Sequence, residues 1–170
     1  MSARARDVMC RPVRKVMEST RVRDAAQFLR RWKISGVPVV DAHGRPVGVF
    51  SLMDLAAHVH DRMIDLPAID PGEERALKSG ETLPLDAGFH FEAIDDARVS
   101  ELMTPEIVCV DPDAPLEAAV RAMEQRSIHR VFVRRRDGPL EGVITTMDIL
   151  RWVGRKLRSD GRRRKTKGVA

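Results

Sequence analysis

The hydrophobic pattern of the chain occurs twice. Two short β-rich segments, at residues 37–40 and 47–50, are separated by turn residues and preceded by an apolar series with helical spacing. A short apolar segment stands before that helix, and another helical segment follows the second strand. The same order returns around residues 131–133 and 142–144. The pattern therefore predicts an α+β protein built from two βαββα units.

The predicted elements have matching positions in the two units. The first strands cover residues 13–16 and 107–110, and the last helices open at Ser51 and Thr145 and run towards Met63 and Leu157. The apolar faces of the earlier helices should pack inwards. These faces consist of Val22, Ala25, Ala26 and Leu29 in the first unit and of Leu116, Ala119, Val120 and Met123 in the second.

A comparison of the chain with itself shows that the two units are a duplication. Residues n and n + 94 match without a gap from about Val8 to Leu55. The identical pairs include Met9/Met103, Ile34/Ile128, Val37/Val131, Gly48/Gly142, Val49/Val143 and Asp54/Asp148. We therefore predict a first domain at residues 1–60, a linker at 61–97, a second domain at 98–157 and a tail at 158–170.

The linker and the tail differ in composition from the repeats. The linker is rich in Pro, Gly, Asp and Glu, and a short helix is predicted within it around residues 73–78. The chain has a net charge of +5, but its last sixteen residues contain eight basic side chains and one acidic side chain. The body is therefore close to neutral, and the basicity belongs to a tail that we expect to be disordered.

The sequence argues against several classes of protein. No apolar run approaches the roughly 20 residues that cross a bilayer, and the first residues lack the apolar stretch of a secretory signal. We therefore expect a cytoplasmic protein without a membrane partner. Cys10 and Cys109 lack the spacing of a zinc site or a disulfide framework, and neither a P-loop nor a nucleophile elbow is present. We predict no catalytic residues, no metal site and no catalytic cofactor, and hence no enzyme.

Both repeats end in the same motif, Gly48-Val-Phe-Ser-Leu-Met-Asp54 and Gly142-Val-Ile-Thr-Thr-Met-Asp148. This ending, together with Met9 and Met103 before the first strands, resembles the CBS domain family. The resemblance implies a tandem pair, called a Bateman module, packed with pseudo-twofold symmetry and with two clefts between the domains. Such modules bind AMP, ADP, ATP or S-adenosylmethionine as regulatory ligands, often form homodimers, and transmit ligand occupancy to an effector protein.

The resemblance also assigns roles to residues of the motif. Asp54 and Asp148 would accept hydrogen bonds from ribose hydroxyls, and Ser51 and Thr145 would lie near the ribose or the phosphate. A carboxylate suits a vicinal diol, and a helix N-terminus offers backbone donors to phosphate. The candidate binding residues that complete the set are His129, Arg130, Ser35, Thr104 and Ile107.

The two clefts should differ in their phosphate contacts. His129 and Arg130 resemble the Ile-His-Arg-Leu segment of the nucleotide-sensing subunit of AMP-activated protein kinase, where the resemblance implies phosphate binding. The first repeat has Ser35 and Gly36 at the equivalent positions. Phe132 stands where the first repeat has Pro38, which leaves the identity of the nucleotide open. Cys10 stands at the position of Thr104 and is expected to border a cleft.

Three alternatives remain open from the sequence. Ser/Thr-x-x-Asp also caps helices, so the motif could serve helix stability alone. The basic tail could bind nucleic acid, with the repeats acting only as a dimerisation scaffold. The repeats could also serve protein assembly with empty clefts. We predict a homodimer in any case, through Leu55, Ile149, Leu150, Trp152 and Val153.

Overall fold

The computed structural model describes residues 3–64 and 97–167, and it confirms the α+β class and the two repeats. The first repeat contains α1 (Ala5–Val8), β1 (Val16–Met17), α2 (Val22–Trp32), β2 (Gly36–Val40), β3 (Pro46–Ser51) and α3 (Leu52–Ile64). The second contains α4 (Val99–Leu102), β4 (Cys109–Val110), α5 (Leu116–Arg126), β5 (Arg130–Arg134), β6 (Leu140–Thr145) and α6 (Thr146–Lys167). The helix predicted around residues 73–78 lies outside the described residues.

Each repeat builds its own three-stranded sheet. The strand orders are β1-β2-β3 and β4-β5-β6. The first strand pairs with the second in parallel, with Val16 opposite Val39 in one sheet and Cys109 opposite Phe132 in the other. Strands β5 and β6 pair in antiparallel fashion. The helix between the parallel strands is the crossover that such a connection needs.

The predicted apolar helix faces are confirmed as core at three of four positions in each helix, whereas Ala26 and Val120 are only half-buried. Val22, Ala25 and Leu29 of α2 are buried against apolar side chains of β2 and β3. Leu116, Ala119 and Met123 of α5 are buried in a second cluster with residues of β5 and β6. Burial of a Val or Leu side chain contributes about 1.5–3 kcal/mol, so these faces hold each helix on its sheet.

The sequence did not predict the short helices α1 and α4. Each belongs to the compact unit of the repeat that lies further away along the chain. The chain forms two compact units. The Asp148 unit combines α1 with the second repeat, and Ala5 N donates to Ala114 O at 2.9 Å. The Asp54 unit combines α4 with the first repeat, and Val99 N donates to Thr20 O at 2.9 Å. The short helix at the start of each repeat therefore belongs to the compact unit of the other repeat.

Helix α6 continues through Lys167, past Leu157, where the apolar periodicity predicted its end. Residues 158–167 extend this helix, whereas the sequence led us to expect a disordered tail. Arg and Lys are good helix formers, and apolar periodicity reports only the part of a helix that packs. No helix in the described ranges is both long and apolar enough to span a bilayer.

Candidate functional site

The motif carboxylate of the Asp54 unit lies where β3 passes into α3. Asp54 Oδ2 accepts hydrogen bonds from Ser51 N at 2.7 Å and from Ser51 Oγ at 2.5 Å. Ser51 Oγ in turn lies 3.4 Å from the backbone N of Asp54. These contacts are a reciprocal helix cap. The capping role that the sequence allowed is therefore present.

The second oxygen of Asp54 has a different partner. Asp54 Oδ1 accepts a hydrogen bond from Thr104 Oγ1 at 3.1 Å, from a residue 50 positions further along the chain. Two backbone hydrogen bonds between Thr104 and Val49, both 3.0 Å, hold that segment in place. A Cβ on Gly48 would lie 2.6 Å from the carbonyl oxygen of Thr104, so the motif glycine permits this close approach. A helix cap alone requires no side chain from so distant a segment.

The Asp148 unit repeats this arrangement with other side chains. Asp148 Oδ2 accepts from Thr145 N at 2.9 Å and from Thr145 Oγ1 at 2.6 Å. Asp148 Oδ1 lies 3.3 Å from Cys10 Sγ and 3.3 Å from Arg151 Nη1. Cys10 thus takes the place of Thr104, and Arg151 is an additional donor.

The donors around Asp148 determine its ionisation. Asp148 is only 7% exposed, and burial by itself raises the pKa of a carboxyl group. The hydrogen bonds from Thr145 and Cys10 and the charge of Arg151 outweigh burial, so the pKa of Asp148 lies below its usual value. Burial and the adjacent Asp148 carboxylate raise the pKa of the Cys10 thiol. The site therefore holds an ionised carboxylate beside a protonated thiol at neutral pH.

Cys10 is held as firmly as its counterpart Thr104. Cys10 N donates to Val143 O at 2.8 Å, and Val143 N donates to Cys10 O at 3.2 Å. A Cβ on Gly142 would lie 2.3 Å from Met9 Sδ. In both units the motif glycine therefore makes room for the segment that delivers the donor to the second carboxylate oxygen.

Of the remaining candidate residues, Ser35 and His129 adjoin the helix starts, Arg130 lies on β5 and Ile107 precedes β4. The carbonyls of Ser35 and His129 accept from the first backbone N–H of α3 and α6, at 3.0 and 3.2 Å, and both side chains are exposed. Arg130 is half-buried and lies opposite Thr145 in the β5–β6 ladder. Ile107 is half-buried in the Asp148 unit, whereas Thr104 belongs to the Asp54 unit.

Sequence reasoning missed two of the groups around Asp148. Cys10 was expected near a cleft but not as a hydrogen-bond donor to the motif carboxylate. Arg151 was not considered, because the match between repeats ends at Leu55 and Leu55 corresponds to Ile149. Extending the comparison of the repeats by two residues would have shown the difference, because Arg151 corresponds to Ala57.

The Asp54 unit also carries an apolar groove of about 920 Å³ along α2 and α3. Its lining residues are Arg23, Ala26, Gln27, Leu29, Arg30, Lys33, Ile34, Ser35, Leu52 and Leu55. No lining side chain is acidic. The groove therefore offers apolar contact area with basic groups beside it.

Several known proteins are similar to this chain in sequence or in fold. A curated protein of Methanocaldococcus jannaschii, described as uncharacterized, is 27% identical over 85% of this chain and 88% of its own length. The chloroplastic CBS domain-containing protein CBSX2 of Arabidopsis thaliana is 30% identical over 80% of this chain, which spans 56% of that protein. A crystal structure of CBSX2 in complex with AMP matches with a TM-score of 0.64 and 27% identity, over 89% of this chain and 96% of that one.

A solved structure of lower identity and a protein-family model also point to CBS domains. The CBS domain pair of protein MJ0100, crystallised with 5-methylthioadenosine and S-adenosyl-L-methionine, has a TM-score of 0.65 at 21% identity. It covers 92% of this chain and 99% of its own, which shows the shared fold. The family model described as CBS domain matches residues 5–61 and again residues 99–155. The chain therefore belongs to the CBS domain family and contains two CBS domains as a tandem pair.

Proposed function

We propose that this CBS pair is a regulatory module that binds an adenosine-containing nucleotide through Asp54 and Asp148. The observation that carries the proposal is the second oxygen of each carboxylate. In both units a donor from a distant segment, Thr104 or Cys10, orients Oδ1, although the cap uses only Oδ2. A carboxylate fixed in this way is a good acceptor for a ribose hydroxyl. The positive end of the adjoining helix dipole favours phosphate.

The relatives support this class of ligand. CBSX2, whose structure contains AMP, is 27–30% identical to this chain. A regulatory subunit of the SNF1-related protein kinase of Arabidopsis thaliana is 28% identical over 80% of this chain, which spans 30% of that protein. We infer that the ligand is AMP, ADP, ATP or S-adenosylmethionine, and that its occupancy is transmitted to an effector protein. The module itself performs no catalysis in this proposal.

Phosphate binding is assigned to the second repeat. Arg130 lies next to Thr145 in the sheet, and a guanidinium can bind phosphate oxygens through two parallel hydrogen bonds. His129 is exposed beside the start of α6. Replacement of Arg130 by Ala should cost about 1.5–3 kcal/mol of AMP binding and far less of adenosine binding.

A thermal-shift panel with adenosine, AMP, ADP, ATP and S-adenosylmethionine tests the proposal, followed by calorimetry. A ligand at 100 times its Kd adds about 2.7 kcal/mol to apparent stability. We expect Asp54→Ala and Asp148→Ala each to remove one binding event. Asp137→Ala, at an exposed position of the β5–β6 hairpin, is the matched control. Unchanged binding in both motif variants would reduce the motif to helix capping.

We also propose that the module forms a homodimer through the exposed apolar faces of α3 and α6. Met53 is 76% exposed, Leu150 61% and Leu157 68%, and the apolar groove adjoins α3. Leu150, Val153 and Leu157 are exposed at i, i+3 and i+7 of α6, and a contiguous apolar face of this kind is typical of an interaction surface. Leu150→Glu should shift the protein to monomer in light scattering, whereas Ser159→Glu on the same helix should not. A strict monomer in the wild type at micromolar concentration would contradict this assembly.

The second candidate function is nucleic-acid binding, which the helical continuation of the basic segment favours. Arg155, Lys156 and Arg158 lie on α6 and are exposed. Under this alternative, truncation after Gly154 should abolish a strongly salt-dependent affinity for DNA or RNA. Under the first proposal the truncation should leave nucleotide binding largely intact. Nucleotide binding by the truncated protein therefore separates the two functions.

A further inference from the structure

Asp148 has a neighbouring cationic side chain, Arg151, that Asp54 lacks. Arg151 Nη1 lies 3.3 Å from Asp148 Oδ1. The Arg151 side chain is 65% exposed, whereas the Asp148 side chain is 8% exposed. In the Asp54 unit the corresponding residue is Ala57, which is exposed and carries no charge. A long, exposed cation therefore contacts the buried carboxylate in one unit and has no counterpart at this position in the other.

This cation completes the set of donors to Asp148. An ionised carboxylate has about four lone-pair positions. Four donors surround Asp148 within the described ranges: Thr145 N, Thr145 Oγ1, Cys10 Sγ and Arg151 Nη1. Asp54 has three donors of this kind, from Ser51 N, Ser51 Oγ and Thr104 Oγ1. Among the described residues, a ribose hydroxyl would find an open acceptor position at Asp54 but not at Asp148.

Arg151 is the donor that can leave Asp148 most easily. Thr145 belongs to the helix cap, and two backbone hydrogen bonds to Val143 fix Cys10. An ion pair with an exposed Arg is screened by water and salt and contributes little. A phosphate group is a stronger partner for the same guanidinium, because it can accept two parallel hydrogen bonds.

We propose that Arg151 is a specificity-determining residue that makes the Asp148 site selective for phosphorylated ligands. Without phosphate, the guanidinium occupies the Oδ1 position that a ribose hydroxyl needs. A ligand phosphate draws the guanidinium away, which adds a phosphate contact and frees Oδ1 for the ribose. The Asp54 site lacks this cation and accepts unphosphorylated adenosine without such a penalty. The inference rests on the proposed nucleotide-binding function.

Calorimetry with adenosine and AMP tests the proposal in a protein whose Asp54 site is disabled by Asp54→Ala. Asp54→Asn, which keeps an acceptor for the helix cap, serves if the alanine variant is unfolded by circular dichroism. Adding Arg151→Ala should strengthen adenosine binding about threefold, because the competing donor is gone. The same change should weaken AMP binding about tenfold, because a phosphate contact is lost. Arg151→Lys should retain most of the preference for AMP.

The reciprocal experiment transfers the cation to the other unit. Ala57→Arg in the Asp148→Ala protein should weaken adenosine binding at the Asp54 site and strengthen AMP binding there. Shifts of both ligands in one direction, or no shift in Arg151→Ala, would overturn the role of Arg151 while leaving nucleotide binding in place. If neither ligand binds the Asp148 site before Arg151 is changed, the proposed function fails there and this inference fails with it.

Discussion

The motif glycines should tolerate alanine unequally, because different atoms occupy the space that a new Cβ would fill. At Gly142 the Cβ would lie 2.3 Å from Sδ, 2.7 Å from Cγ and 2.9 Å from Cβ of Met9. At Gly48 it would lie 2.6 Å from the backbone oxygen of Thr104 and 2.9 Å from Met103 Sδ. Contacts between non-bonded carbon atoms are normally about 3.5–4.0 Å, so both sites must adjust.

The adjustment is easier at Gly142. Met9 is half-buried and flexible, so its Sδ and Cγ can turn away from the new methyl group, and only the 2.9 Å contact with Met9 Cβ, which no rotation moves, remains. The Thr104 carbonyl accepts the backbone hydrogen bond of Val49, so at Gly48 a backbone bridge must move. Overpacking costs about 1–3 kcal/mol, and the reduced entropy of the unfolded chain returns about 0.4–1 kcal/mol. We expect Gly142→Ala to cost about 1 kcal/mol of unfolding free energy and Gly48→Ala about 2 kcal/mol or more.

A double-mutant cycle measured by urea denaturation checks this difference. Met9→Ala removes the Sδ and Cγ atoms that crowd position 142, so it should couple to Gly142→Ala by about 1 kcal/mol in the stabilising direction. Met103→Ala leaves the Thr104 carbonyl in place and should relieve Gly48→Ala much less. The reasoning would be refuted if Gly48→Ala destabilised the protein less than Gly142→Ala. It would also be refuted if Met103→Ala relieved Gly48→Ala as much as Met9→Ala relieves Gly142→Ala.

Three further predictions concern the Asp148 unit. Because the pKa of Asp148 is lowered on folding, its contribution to stability is present above the ordinary carboxyl pKa of 3.8 and is lost as pH falls through the folded value. Asp148→Asn should therefore flatten the loss of stability in acid, and an acid slope equal to wild type would contradict this. Because the pKa of the Cys10 thiol is raised, iodoacetamide at pH 8 should modify Cys10 more slowly than a free cysteine, and Asp148→Asn should accelerate the reaction. Peptide mapping, which separates Cys10 from Cys109, would contradict the cause if the rate were unchanged. Deletion of residues 1–10 should weaken nucleotide binding at Asp148 more than at Asp54, since it removes Cys10 and the buried Ala5 and Val8; equal losses by calorimetry would argue against it.

Periodicity and repetition in the sequence were sufficient to predict the longer helices and the last two strands of each repeat, but not α1, α4 or the bounds of the short first strands. The helical spacing of Val22, Ala25 and Leu29 reports a face that really is buried, and β2 and β3 follow from segments of branched residues between turns. The pattern does not say which repeat receives helix α1 or α4. Both repeats present similar apolar surfaces, because they descend from one pattern, so composition does not distinguish the two possibilities.

The carboxylate sites were predictable only in part. Gly-x-x-Ser/Thr-x-x-Asp indicates the cap and the location of the carboxylate, because its contacts lie within three residues. The donors Thr104 and Cys10 come from segments 50 and 138 residues away, so no local pattern shows that they donate to the carboxylates. Arg151 is local, three residues after Asp148. In a sequence, however, such an i, i+3 pair of opposite charges cannot be told from an ordinary exposed ion pair.

The placement of α1 has a consequence for how the chain folds during synthesis. Arg4 bonds to Asp113, a residue 109 positions later, and Cys10 reaches Asp148 only after 138 more residues. At about 5–20 residues per second, the ribosome takes roughly 5–30 s to make these partners of Arg4 and Cys10. During that interval the apolar side chains of α1 have no native surface to cover them. The Asp148 unit can thus be completed only after Asp148 has been made, although it includes α1, which is made before either sheet.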